Sequence, residues 1–457
     1  MKIVWKTNVK DKIFYYYNLF FSNGLKLNVL QAIPFYVASL LVGLVAVGYT
    51  KLFVLGENIL NEILQWHYWM IFIMAPLCFL SAWLIIYLFA PAARGSGIPQ
   101  VMAAIELANA KNDKNVSKLL SFRILVTKIV SSLLMVLGGG AIGREGPTIQ
   151  IAGSIFRLVN KAIPDSWPKL SRQSYILTGA AAGLAAAFNT PLGGIVFAME
   201  ELAQIHIKFF RSALFSAVII AGLTAQGFLG PYLYLGYPNV KGLGISIFLG
   251  VVTTAIASGL LGAFMGKAVT TVMKWTAPFS WIKKMSLVIG SGLLVAFLAT
   301  WINHDILGSG KDLMNQVLFT EQKTSSFSGV AMRILGPIIA FNTGAAGGVF
   351  APSLAAGASI GTLISDLAHL SDANANILIL SGMVGFLTGV TRTPFTSAIL
   401  VLEMTDRHSV IFHLMLAAMI SNFAALLISK HSFYEELKKN YIAESTTEPL
   451  SRSRLNL

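Results

Sequence analysis

The stretch VSSLLMVLGGGAIGREGP, residues 130–147, decides how the chain folds. A charge-free run from 129 to 143 ends in the glycine cluster GGGAIG (138–143), and Arg144, Glu145 and Pro147 follow at once. Glycines end a helix, and proline in the first turn starts the next one without removing a needed N–H. A break of this kind inside apolar sequence is tolerated at membrane depth only where protein or a polar cavity surrounds it. The charge-free run 334–365 has the same build, with Gly344, Gly347, Gly348 and Pro352 in its middle. The expected architecture is therefore all-α and membrane-embedded, with several broken or partial helices around a buried polar site.

The rest of the sequence agrees with that class. Further charge-free runs lie at 27–50, 63–93, 173–199, 212–240, 242–266, 285–304, 373–391 and 408–429. Each reaches or approaches the roughly 20 residues a helix needs to cross hydrocarbon. The 457 residues are 55% hydrophobic and only 12% charged, with a mean hydropathy of +0.69. That charge share is about half the roughly 25% usual in soluble proteins, which excludes disorder and ordinary soluble enzymes. A single cysteine, Cys78, excludes a disulfide scaffold and any CxxC metal or redox motif.

The net charge of +14 is not a nucleic-acid signature, because its distribution follows membrane topology. Lys2, Lys6, Lys10 and Lys12 open the chain; Arg94, Lys111, Lys114, Lys118 and Arg123 share one loop; Lys430, Lys438, Lys439, Arg452 and Arg454 lie near the end. Cytoplasmic loops carry such excess, and anionic lipid headgroups attract it. Both termini are expected in the cytoplasm of a multi-pass protein of a plasma or bacterial inner membrane. Spans at 30–54 and 68–91 would then be joined outside by LGENILNEILQWH (55–67), which has no Lys or Arg. The short apolar run 13–21 has no small-residue cleavage site and does not read as a cleaved signal peptide.

The chain also repeats itself. A shift of 205 residues relates Lys128 to Arg333, Gly143 to Gly348 and Pro147 to Pro352, and AGSI (152–155) to GASI (357–360). A shift of 203 relates Thr190-Pro191 to Thr393-Pro394 and Glu200 to Glu403, and GSGI (95–98) pairs with GSGK (308–311). Charges inside membrane segments are rare, so the Lys128/Arg333 and Glu200/Glu403 matches argue for duplication rather than shared glycine-rich composition. Duplicated halves with interrupted helices at corresponding positions point to a transporter's central site. The division expected is an N-terminal cytoplasmic segment (1–27), two inverted membrane repeats (28–235 and 236–430), and a C-terminal helix with a cytoplasmic tail (431–457).

Three motifs place glycine before a helix start and proline close behind it: GSGIP (95–99), GREGP (143–147) and GVFAP (348–352). The first N–H groups of a helix have no intrahelical partner, and the dipole adds positive potential there. Several helix starts converging on one point hold an anion without a full positive charge, which leaves it free to depart. Glu145 sits at one such start, so its carboxylate competes for the anion's place, and protonation would release it. An ion pair with Arg144 is the plainer reading, but adjacent helical residues do not face one another. Glu200 and Glu201 end the run 173–199, and Lys128 reads as local structural support.

With these motifs in this order, the chain resembles the CLC family of chloride channels and chloride/proton exchangers over about residues 28–440. The resemblance implies a homodimer with one pore per subunit, and the short C-terminal end resembles the bacterial type without nucleotide-sensing domains. By matching motifs, Ser96 corresponds to the anion-coordinating serine and Glu145 to the external gating glutamate. Arg144, Gly146, Val349, Phe350 and Ala351 would offer backbone N–H groups to the anion. Glu201 matches the inner proton-transfer glutamate, the second acid of the family's pair, and Tyr434 the inner tyrosine, with Tyr441 nearby.

What this implies is exchange of chloride for protons, with chloride as bound substrate and no cofactor or metal; a passive voltage- or pH-gated chloride channel is the alternative. Passive members generally lack the second acid, so Glu201 favours exchange. The histidines at 67, 206, 304, 369, 408, 413 and 431 form no HExxH, and no GxSxG appears, so no enzyme is expected.

Overall fold

The computed structural model describes residues 23–108, 113–164, 166–202, 211–230, 234–240, 244, 247–321, 323–370 and 372–446. The first half comprises α1 (Asn23–Trp66), α2 (Ile71–Phe89), α3 (Ile98–Leu107), α4 (Asp113–Leu119), α5 (Phe122–Leu137), α6 (Glu145–Ala162), α7 (Arg172–Phe188), α8 (Pro191–Phe197) and α9 (Arg211–Leu229). The second comprises α10 (Ile247–Thr276), α11 (Trp281–Trp301), α12 (Lys311–Phe319), α13 (Phe327–Asn342), α14 (Phe350–Leu367), α15 (Asp372–Thr391), α16 (Pro394–Thr405), α17 (Ile411–Leu426) and α18 (Phe433–Thr446). A π-helical turn, Ala198–Leu202, continues α8. Among the described residues there is no strand, and 8 helices are long and apolar enough to cross a membrane.

The duplication reappears as equal helices. α5 and α13 each have 16 residues, and α6 and α14 each have 18. Each pair starts at positions related by the same 205-residue shift, at Phe122 and Phe327 and at Glu145 and Phe350. α5 stops at Gly138, and Gly139 takes a φ of +76°, a left-handed conformation that glycine adopts at no steric cost.

Two expectations need correction. The segment 55–67 is not a loop: α1 continues to Trp66, and its apolar stretch covers Leu30–Trp66. Leu60 and Leu64, one turn apart, are both buried against the core, so the helix gains by continuing past the membrane-length minimum. The basic segment 94–123 likewise holds the short helices α3 and α4 rather than an open loop.

Helices of similar length differ sharply in how deeply they are enclosed. Trp281–Trp301 is 28% buried along its span, whereas Asp372–Thr391 is 89% buried. The inner helices pack closely because they meet at glycines: a Cβ on Gly357 in α14 would lie 2.2 Å from the carbonyl oxygen of Gly382 in α15. Small residues at such contacts supply the van der Waals packing that drives helix association in lipid. Large apolar side chains including Leu249, Phe412 and Leu427 project outward, as the lipid-facing surface of a multi-pass membrane protein requires.

Candidate functional site

The three motif loops meet at the centre and are joined backbone to backbone. Gly143 and Gly348, related by the repeat, exchange N–H···O bonds of 2.8 and 2.7 Å. Gly95 donates to Ala345 (2.8 Å) and accepts from Gly347 (3.1 Å). These bonds hold the starts of α3, α6 and α14 together, and at none of the three does the N-cap side chain accept a helical N–H. The result is a concentration of helix N-termini, each carrying about half a positive charge, with no fixed cation required.

Glu145 is fully enclosed there. Its carboxylate lies beside the Ala351 backbone N–H, and Oε2 has no hydrogen-bond partner among the described residues. It lies so close to Gly143 that a Cβ on that glycine would fall 2.3 Å from Oε2. A carboxylate oxygen thus occupies the start of α14, where an anion would be held.

Next to it are two buried hydroxyls. Ser96 Oγ and Tyr434 Oη face one another, and neither makes a hydrogen bond within the described residues. Both residues are at most 1% exposed. A Cβ on Gly146 would fall 2.4 Å from Ser96 Oγ, so only glycine there leaves the hydroxyl room. The Tyr434 ring stacks on Phe350 at 6.2 Å between centroids, which fixes its hydroxyl towards the motif loops. Buried hydroxyls without partners are costly, and two that face one another can both donate to one small acceptor. Ser96, Glu145, Gly146, Phe350, Ala351 and Tyr434 therefore come together, with Arg144 and Val349 at the helix caps.

The two neighbouring acids of the first half separate. Glu200 turns to α16, where it accepts from the backbone N–H groups of Phe395 (3.1 Å) and Thr396 (2.6 Å) and from the Thr396 hydroxyl (2.7 Å). Glu201 instead lines a cavity of about 160 Å³ with Glu106, Gln173 and Lys438, and its Oε1 has no partner among the described residues. Lys438 pairs with Glu106 at 3.0 Å beside it. Tyr434 lies within electrostatic range of both Glu145 and Glu201.

Lys128 gives the local support expected from the sequence, whereas the contacts from α18 were not identified there. The loop carrying Ser96 is held from below by Lys128, whose Nζ donates to the carbonyls of Ala93 (2.8 Å) and Gly95 (2.6 Å). It is held from the side by α18: Arg94 pairs with Glu444, and the Tyr441 hydroxyl donates to the Arg94 carbonyl at 3.3 Å. Burial pushes the Tyr441 phenol above its usual range, with Arg94 opposing. Tyr434, not Tyr441, is the tyrosine beside Ser96. Only charge complementarity between Arg94 and the acidic α18 could have signalled this contact in the sequence. Among the described residues no three His, Cys, Asp or Glu side chains form a group that could hold a metal.

The chain is similar to known proteins of one family and fold. Residues 77–426 match the family described as voltage gated chloride channel. The chain is 29% identical over 401 residues to the H(+)/Cl(-) exchange transporter ClcA of Citrobacter koseri, covering 84% of this chain and 81% of that protein. It is 28% identical to ClcA of Salmonella gallinarum with the same coverage. Its fold matches a slow cyanobacterial Cl-/H+ antiporter with a TM-score of 0.78 at 23% identity, over 91% of this chain and 98% of that one. It also matches a CLC-type fluoride/proton antiporter with a TM-score of 0.74 at 19% identity, over 91% of this chain and 98% of that one. The chain belongs to the voltage gated chloride channel family, the CLC family.

Proposed function

We propose that this member of the CLC family is a secondary active antiporter that exchanges chloride for protons. The observation that carries the reading is the carboxylate of Glu145, buried beside Ala351 at the start of α14 where an anion would bind. Carboxylate and chloride compete for that position, so chloride moves when Glu145 is protonated and displaced. The departing carboxyl carries its proton with it. Ser96 and Tyr434 offer hydroxyls to the anion, and backbone N–H groups around Arg144, Gly146 and 349–351 complete its shell.

Exchange rather than passive conduction is favoured by Glu201, whose carboxyl opens to its own cavity instead of facing Ser96. Protons and chloride then share the path near Glu145 and part company below it. The two membrane repeats, 28–235 and 236–430, supply the two sides of this centre in inverted orientation. We place both termini in the cytoplasm of a bacterial inner membrane, and assign a homodimer with one pore per subunit, lipid contacts, no cofactor and no catalytic residue.

Paired chloride and proton fluxes from purified protein in liposomes test the proposal. An imposed chloride gradient drives protons uphill in an antiporter. Chloride flux without proton movement would instead establish a passive channel.

A further inference from the structure

The loop that carries Ser96 is built a second time. Gly95-Ser96-Gly97 precedes α3, and Gly308-Ser309-Gly310 precedes α12. The glycines take φ of +63° and +105° in the first loop and +66° and +85° in the second, values that L side chains rarely adopt. A repeat-related cation supports each: Lys128 donates to Gly95 O, and Arg333 Nη1 donates to Gly308 O at 3.3 Å. Both serines are buried, with 1% and 6% exposure.

The copies differ in what the hydroxyl meets. Ser96 Oγ has no partner among the described residues. Ser309 Oγ donates to Glu57 Oε1 at 2.7 Å, and the Ser309 N–H points at the same oxygen at 3.4 Å. A carboxylate oxygen therefore stands in the second cradle, whereas in the first the serine hydroxyl has no acceptor among the described residues. The same substitution of carboxylate for anion occurs at Glu145.

The surroundings suit a small anion. Lys311 Nζ lies 4.8 Å and Arg144 Cζ 6.0 Å from the centre of the Tyr234 ring, so two cations converge on one side chain. Arg333 is 6% exposed and its Nε has no acceptor among the described residues, although the guanidinium lies against Gly310. The charged groups in electrostatic range of Glu57 are Arg144, Lys311, Asp312, Arg333 and Glu145. With Glu57 charged, these cations and carboxylates balance. With Glu57 neutral or turned away, the cations predominate and attract an anion.

We propose that the Ser309 cradle is a second anion station, in series with that at Ser96, and that Glu57 is its tethered occupant. Chloride enters the station when the Glu57 carboxylate is protonated or displaced, which couples anion access on this side to proton activity. The inference rests on the exchange reading, in which Ser96 marks the path of the same anion.

Bromide anomalous diffraction on the purified full chain tests both. At neutral pH the wild type is expected to show bromide beside Ser96 and none beside Ser309. Glu57→Ala, and wild type at acidic pH, gain bromide at Ser309, and the double variant Glu57→Ala/Ser309→Ala loses it again. Glu57→Gln, which keeps the side chain's shape, serves if the alanine variant does not fold. Bromide beside Ser96 but absent from Ser309 in the Glu57 variants overturns the second station and leaves the exchange reading standing. Bromide at Ser309 alone supports the station and overturns the role of Ser96, and bromide at neither overturns both.

Discussion

Glu200 and Glu403 cap each other's half of the molecule. Glu200 accepts from the first N–H groups of α16, at Phe395 and Thr396, while Glu403, inside α16, accepts from those of α8, at Leu192 (3.1 Å) and Gly193 (2.8 Å). The reciprocity follows from the repeat, because each Thr-Pro helix start lacks a capping side chain of its own. A carboxylate from the other half supplies the missing acceptors, and its charge suits the helix dipole.

The first prediction follows from that symmetry. Glu200→Ala and Glu403→Ala each remove the side-chain carboxylate that accepts from two backbone N–H groups at a helix start, a loss of about 1–3 kcal/mol. Both variants are expected to inactivate at lower temperature than wild type by similar margins, while proton coupling in the surviving protein is retained. Thermal-inactivation curves with paired flux assays decide it. Loss of coupling in Glu200→Ala at unchanged stability would give Glu200 a transport role instead.

For Glu145, a neutral residue cannot compete as an anion or carry a titratable proton. Glu145→Gln and Glu145→Ala are expected to abolish proton movement and retain chloride flux. The measurement is chloride-driven proton uptake into liposomes. Uptake that persists in either variant shows that protons pass by another group.

Glu201 should separate the two ions differently. Its cavity with Glu106, Gln173 and Lys438 is lined by neither Ser96 nor Tyr434, so Glu201→Gln is expected to stop proton coupling while leaving chloride binding unchanged. Glu200→Gln keeps a capping oxygen and is expected to retain coupling. Chloride titration calorimetry together with both fluxes checks the pair. Wild-type proton pumping by Glu201→Gln would place the inner proton site elsewhere.

Selectivity is the province of Ser96. Its hydroxyl is buried and unbonded within the described residues, and a hydrogen bond to a charged group contributes about 1.5–3 kcal/mol. Ser96→Pro is expected to weaken chloride binding by roughly tenfold or more and to raise nitrate preference relative to chloride. Binding ratios for the two anions report it, and an unchanged ratio removes Ser96 from the selectivity machinery.

The membrane class, the duplication and the three helix starts were legible in the sequence because each is set by local chemistry. Charge-free runs report the solvent, and glycine followed by proline fixes where helices break. The 205-residue shift even located pairs of helices of equal length. The end of α1 was not legible, because absent Lys and Arg mark a side of the membrane rather than a loop, and buried Leu60 and Leu64 prolong the helix. Tyr434, matched to the inner tyrosine by resemblance, shares its helix with Tyr441, and which loop each of them meets is set by how that helix packs. The destinations of Glu200 and Glu201, the pairing of Glu57 with Ser309, and the strap from Arg94 to Glu444 were decided by tertiary structure alone. Local spacing aims a side chain to within a helix face. Which partner waits there depends on how segments about 195–350 residues apart along the chain pack against one another.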